Sequence, residues 1–157
     1  MRKFYILLLA TACFTASGFA VTSQTFTWEY YKVQLTVPDD FKVTQNTDEE
    51  FEMAGDGMTL LMELFEQNIT IDELDEAVKT GAKTLKLEAV DDQHELDVNG
   101  LQGYYVEGIV KGNRVMFVGM MDPNSNTNFF ISLVFDDEDK TAEADALRIL
   151  SSVKKLK

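Results

Sequence analysis

The chain has 157 residues, of which 14 are Lys or Arg and 27 are Asp or Glu, giving a formal charge of −13 at neutral pH, and it carries one cysteine. So anionic a chain is repelled by phosphate backbones and anionic lipid headgroups, which argues against nucleic acid or an electrostatically held membrane as partner. A single thiol excludes an intramolecular disulfide framework, and the length suits one domain with a sizeable core.

The first twenty residues stand apart. Arg2 and Lys3 are their only charges, Phe4 to Phe14 is almost wholly apolar, and Gly18-Phe19-Ala20 places small residues where a signal peptidase reads. This predicts a cleaved export signal over residues 1–20, with the cut between Ala20 and Val21, and a mature domain over 21–157 in the periplasm or outside the cell. The apolar run is shorter than the roughly 20 residues that span a bilayer. Two competing readings are an uncleaved anchor and lipid attachment at Cys13, which follows Leu9-Ala10-Thr11-Ala12. Removing Arg2 and Lys3 leaves 12 cationic side chains against 27 carboxylates, a charge of −15.

Along the mature chain, Phe26, Trp28 and Tyr30 share one parity and Val33, Leu35 and Val37 the other, so the chain changes faces near Tyr31 and Lys32, through a bulge or a break between strands. Pro38-Asp39-Asp40 reads as a turn, Phe41 to Val43 as a short return strand and Thr44 to Glu50 as a loop. Phe51 to Ala54 and Met58 to Phe65 flank the hairpin signal Gly55-Asp56-Gly57, with Met58, Leu60, Met62 and Leu64 on one face. Thr70 and Glu73 form a capping box before an amphipathic helix whose stripe is Ile71, Leu74, Val78, Ala82 and Leu85. A four-stranded meander follows: His94 to Val98, Leu101 to Lys111 after an Asn99-Gly100 turn, Arg114 to Met121 after Gly112-Asn113, and Phe129 to Phe135 beyond the loop 122–128. The last of these is apolar on both faces, which predicts a central strand covered on both sides. Ala146, Ile149, Leu150 and Val153 define a final helix, with Lys154, Lys155 and Lys157 at its carboxyl end. The fold class is α+β: a single antiparallel sheet with two helices packed on its faces.

Chemistry-bearing residues are few. Asp122, Asn124, Asn126 and Asn128 alternate like the start of a calcium loop, but Thr127 stands where that loop needs Gly and Leu133 where it needs Glu, so a hairpin turn accounts for them. Asp136-Asp137-Glu138-Asp139 precedes a helix, where one serves as cap. Asp39-Asp40, Glu49-Glu50 and Asp91-Asp92 fall in turns. His94 is the one histidine and reads as a surface strand residue; no serine, cysteine or glycine-loop motif accompanies it, and no cofactor or metal site is read. A hydrolase built on two carboxylates leaves no spacing to read and stands as the alternative function. Trp28, Tyr30, Tyr31, Tyr104 and Tyr105 could line a ligand groove, and alternating aromatics are also ordinary strand residues. Asn68-Ile69-Thr70 matches a glycosylation acceptor, although Thr70 is wanted as a cap.

The element order, with Val37-Pro38-Asp39-Asp40-Phe41, Gly100-Leu101-Gln102-Gly103-Tyr104-Tyr105-Val106-Glu107-Gly108 and a terminal helix after Phe129 to Phe135, resembles the PsbP-like group over about residues 26–155. That group includes extrinsic photosystem proteins, DcrB-like lipoproteins, a Ran-binding protein and short exported bacterial proteins. The resemblance implies a PsbP-like α/β/α sandwich and a protein that binds other proteins or assists an assembly, with no shared catalytic machinery. The expected role is therefore a non-enzymatic binding or assembly module of the bacterial cell envelope, with a protein partner.

Overall fold

The computed structural model describes residues 22–55, 57–65 and 68–157. The export signal, the Ala20–Val21 junction, Cys13 and Asp56 of the first hairpin turn lie outside them. Ten strands and two helices follow in the order β1 (Ser23–Trp28), β2 (Val33–Pro38), β3 (Lys42–Asn46), β4 (Glu50–Gly55), β5 (Met58–Phe65), α1 (Ile71–Thr84), β6 (His94–Val98), β7 (Leu101–Val110), β8 (Asn113–Met121), β9 (Asn128–Asp136), α2 (Lys140–Ser152) and β10 (Lys154–Lys155). All strand pairs are antiparallel.

The strands form two sheets, not one. Seven make a large sheet in the order β3-β4-β5-β9-β8-β7-β6, and β1-β2-β10 make a small one. The division begins where the parity changes. Glu29 to Lys32 is a turn, with Lys32 at φ 59°, and β1 folds back on β2 from Trp28 opposite Val33 to Ser23 opposite Pro38. Beyond the Pro38 turn the chain leaves this hairpin, and β3 pairs with β4 instead of returning on β2. The stretch read as a loop is therefore strand as far as Asn46, through a bulge between Val43 and Gln45.

The small sheet and α2 share one layer. Val33, Leu35 and Val37 of β2 are buried together with Ala146, Ile149, Leu150 and Val153, and all join one core with Met53, Leu60, Met62, Met116, Val118, Ile131 and Leu133 of the large sheet. At about 1.5–3 kcal/mol for each large apolar side chain removed from water, this layer supplies most of the drive for folding. Asp139 caps α2 by accepting from the Thr141 and Ala142 N–H groups at 2.9 and 3.1 Å. The helix stops at Ser152, because Val153 takes up an extended ψ of 131°. Lys154 and Lys155 are consequently not a charged helix end; they pair with Gln34 and Val33 of β2.

On the opposite face lies α1. Its capping box forms as the sequence predicts, with Thr70 Oγ1 accepting from the Glu73 N–H at 3.3 Å and the Glu73 carboxylate accepting from the Thr70 N–H at 2.7 Å. The Glu73 carboxyl is held below its ordinary range by the hydrogen bonds it accepts, from the Thr70 N–H first and from the Thr70 hydroxyl, at 3.0 Å, second. Leu74, Val78 and Ala82 are buried, whereas Leu85, the last residue of the expected stripe, is exposed at the cap. The helix contacts β7 and β8. It is seated through Gly81, whose missing Cβ leaves room for the Phe117 ring, and through Gly119 beneath Leu74 and Val78.

The meander matches the reading with one shift. Asn99 and Gly100 both have positive φ, at 52° and 85°, as the two-residue turn demands. The next turn is centred one residue earlier than expected, on Lys111 and Gly112, because Val110 pairs with Asn113. β9 is the middle strand of the seven. It is not covered on both sides: Phe129, Ile131, Leu133 and Phe135 are buried, while Phe130, Ser132 and Val134 on the α1 face are only half-buried.

Arg114 bonds three segments together. Its Nε donates to Asp137 at 2.7 Å and its Nη1 reaches Asp91 and Glu107, both at 3.2 Å. The hydrogen bond it donates to Asp137 comes first among the influences that push this guanidinium's pKa upward against its burial. Arg114→Met leaves the sheltered Glu107 carboxylate beside Asp137 without a counter-charge, so a loss of about 2 kcal/mol is expected in urea unfolding. Arg114→Lys should recover only part of it, since one ammonium cannot serve three carboxylates with the same fork.

Candidate functional site

The half-buried side of β9 belongs to a larger uncovered surface. Strand register places Glu52, Leu61, Ser132, Phe117 and Val106 side by side in one row across β4, β5, β9, β8 and β7. The adjacent rows hold Ala54, Thr59, Val134 and Val115 on one side and Glu63, Phe130, Gly119 and Tyr104 on the other. Because α1 sits over β7 and β8, the columns contributed by β4, β5 and β9 carry no helix.

Two adjoining hollows result, meeting at Leu85. One, of about 500 Å³, is floored by Leu61, Val115, Ser132 and Val134 and walled by Leu85, Leu87 and Val110, with Glu52, Thr59 and Lys111 at its rim. The other, of about 530 Å³, is floored by Phe117 and Phe130 and bordered by Ala77, Thr80, Gly81 and Thr84 of α1, with Glu63, Glu73 and Glu76 at its rim. Phe65, Phe130 and Phe117 form a stacked ladder along this floor, with ring centroids 4.5 and 5.2 Å apart. Together they make an open apolar groove edged by carboxylates. Exposed apolar strips of this extent on a folded domain mark interaction surfaces.

The aromatic residues singled out from the sequence do not build it. Trp28 is fully buried, packed edge-on to Tyr31 at 4.8 Å and stacked on Phe51 at 6.1 Å, and its indole N–H donates to the Thr47 carbonyl at 2.7 Å. Tyr31 donates to the Asp48 carbonyl. Tyr30 is 60% exposed in the β1–β2 turn. Tyr104 and Tyr105 point to opposite faces of β7, Tyr104 toward the α1 cluster and Tyr105 toward the main core. The groove aromatics are Phe65, Phe117 and Phe130 instead. The signal for Phe130 was the doubly apolar β9, which the sequence reading assigned to full burial; Phe65 on β5 and Phe117 on β8 carried none.

The loop 122–128 already holds a cation of its own. Lys155 Nζ lies 2.7 Å from Ser125 Oγ, 2.6 Å from Thr127 Oγ1 and 3.3 Å from an Asp122 carboxylate oxygen. Asp122 also accepts from the Asn124 N–H at 2.9 Å and the Ser125 hydroxyl at 2.8 Å. Burial pushes its carboxyl upward, but these bonds and Lys155 outweigh it and hold the pKa below 3.8. A carboxylate depressed in the folded state contributes stability above the unfolded value that is lost as pH falls through the folded one. Asp122→Asn should therefore lower the melting temperature at neutral pH and flatten its fall below pH ~3.8; an unchanged acid limb would count against the linkage.

The other acidic runs have structural partners. Asp136 accepts from the Glu138 N–H at 2.9 Å, Asp137 and Asp91 bind Arg114, Asp139 caps α2, Asp39 accepts from Thr22, and Glu50 accepts from Gln45. Among the described residues no three of His, Cys, Asp and Glu gather in a way that could hold a metal ion. Carboxylates that meet do so around a cation, Asp91, Glu107 and Asp137 at Arg114 and Asp75 and Glu76 at Lys79. His94 lies on the edge strand β6, stacked on Tyr105 at 4.9 Å. Thr70 of the Asn68-Ile69-Thr70 triplet is engaged as the cap of α1. No helix of the described residues is long and apolar enough to cross a membrane.

No protein-family model matches the sequence, and no curated protein matches it significantly. Solved structures do match. The Saccharomyces cerevisiae Ran-binding protein Mog1p superposes with a TM-score of 0.61 at 9% identity, covering 86% of this chain and 96% of Mog1p. Cyanobacterial PsbP (CyanoP) from Synechocystis sp. PCC 6803 gives 0.58 at 11% identity, over 90% of this chain and 96% of CyanoP. A Bacteroides thetaiotaomicron protein gives 0.53 at 11% identity, and this chain spans about half of it, 48%. The likeness at these identities is one of fold, a PsbP-like arrangement with a helix on each face of a large antiparallel sheet.

Proposed function

We propose that this chain is an exported, non-enzymatic binding or assembly module of the bacterial cell envelope, of the DcrB-like kind, that engages a protein partner through the open groove between α1 and β4. The observation that carries it is the apolar strip of Leu61, Phe130 and Val134 left uncovered on the central strands of the large sheet. Leaving such a strip in water costs about 25 cal/mol per Å² relative to covering it. The signal-like residues 1–20 and the acidic body support an extracytoplasmic setting, and the shared fold with a protein whose name includes Ran-binding is in keeping with a docking role.

Leu61 is half-buried, so Leu61→Glu places a charge in the groove without touching the main core. Photocrosslinking from position 61 or 134 in the native host, compared with position 25 on the far layer, tests the reading. Adducts from the groove positions alone, abolished by Leu61→Glu, are expected; adducts of equal yield from all three positions would sink it. Intact mass of the exported protein should show Val21 as the first residue, and a lipid-modified Cys13 would overturn that processing site.

A further inference from the structure

We propose that the occupant of the groove is an amphipathic α-helix of the partner, three to four turns long, with an apolar stripe flanked by Lys and Arg. This rests on the docking reading above and names the class of segment that docks.

Backbone chemistry selects the helix. The groove lies on a sheet face, where the N–H and C=O groups of β4, β5, β9 and β8 are already paired with one another. An extended segment laid there could not add to a ladder, and its own polar backbone would be pressed against Leu61, Phe130 and Val134 without partners. A helix satisfies its backbone internally and presents only side chains. Dimensions agree: alongside the groove β5 runs six residue steps from Thr59 to Phe65, whose ring stacks on Phe130 of the floor, about 20 Å, which a helix of about 13 residues spans. The wall offered by α1 is low, formed by Ala77, Thr80, Gly81 and Thr84, so a second helix can lie close alongside it.

Charge selects the flanks. Glu52 and Glu63 stand on the far rim and form no ion pair with a described residue, while Glu73 and Glu76 stand on the α1 side. Lys111 is the one cationic side chain lining either hollow, at the end away from Glu63 and Glu73. A helix bearing cations on both sides of its apolar stripe meets carboxylates on both rims, and an acidic helix is repelled by them and by the charge of the whole body.

The test uses the full mature protein and three fluorescent 14-residue peptides. One carries Leu at helical spacing with Lys on the remaining face, one has Glu in place of every Lys, and one scrambles the first so that charge is kept and the stripe is lost. Anisotropy should show the Lys helix binding at least tenfold more tightly than the other two, with a gain in helical circular dichroism. Leu61→Glu and the exposed-site variant Glu63→Lys should each weaken it at least tenfold while Trp28 emission and the melting temperature stay unchanged. Equal binding of the scrambled peptide, or indifference to both variants, overturns the helix. If groove crosslinks are lost in Leu61→Glu but the Lys helix does not bind, the docking reading stands and this inference falls. A fluorescent fatty acid that binds the groove, is lost in Leu61→Glu and is not displaced by the Lys helix would assign the groove to lipid and overturn it as well.

Discussion

Trp28→Ala is expected to cost about 4 kcal/mol of unfolding free energy, the largest loss from any single truncation in this chain. The indole is fully buried and joins the small sheet to the large one, since it sits at the end of β1 and stacks on Phe51 of β4. Its loss opens a cavity in the main core and leaves the Thr47 carbonyl without its 2.7 Å donor. Trp28→Phe, which keeps most of the volume and loses the N–H, should cost about 1–2 kcal/mol. Urea unfolding followed by far-ultraviolet circular dichroism reads both, because the substitution removes the chain's one tryptophan. A loss below 1 kcal/mol for Trp28→Ala would mean that β1 and its hairpin are dispensable to the core.

Gly119→Val should lose about 3 kcal/mol and, with it, the groove. A Cβ at this position falls 2.7 Å from Val78 and 2.8 Å from Leu74, two of the three buried residues by which α1 holds the sheet. Valine adds two further methyl groups in the same space, so α1 must lift or tilt. Because α1 forms one wall of the hollow floored by Phe117 and Phe130, binding of the Lys helix should fall together with stability. Gly119→Ala, with less to accommodate, should fall between wild type and valine in both measurements. Full stability with lost binding, or the converse, would show that the position of α1 does not couple the two.

Much of the fold was legible in the chain itself, and particular residues show why. The capping box of Thr70 and Glu73 and the left-handed pair Asn99-Gly100 act within three residues of themselves and form as read, and of the four acidic residues expected to supply one cap for the last helix it is Asp139 that does so. Alternation along Met58, Leu60 and Met62 and the helical recurrence of Ala146, Ile149 and Leu150 likewise report a local period and the face it buries. The single sheet was misread because strand order does not fix strand pairing: Lys155 joins β2 at Val33 from the far end of the chain, and β3, equally near to β2 and β4 in sequence, pairs with β4. Neither choice leaves a mark in the neighbouring residues.

The groove was missed for a related reason. Phe130 and Val134, with only the small Ser132 between them, read as a buried face, and whether they are buried depends on where α1 comes to rest, some fifty residues earlier in the chain. The same holds for Asp122, whose oxygens invite a metal in the sequence and meet the Lys155 ammonium in the fold. By itself, then, the sequence determined an acidic α+β domain with these helices and these turns, since each of these depends on composition or on near neighbours. Tertiary structure alone decided the split into two sheets, the burial of Trp28, the cation already seated in the 122–128 loop and the uncovered face of β9. These follow from long-range packing, in which one helix is wide enough to cover only two of the seven strands on its side.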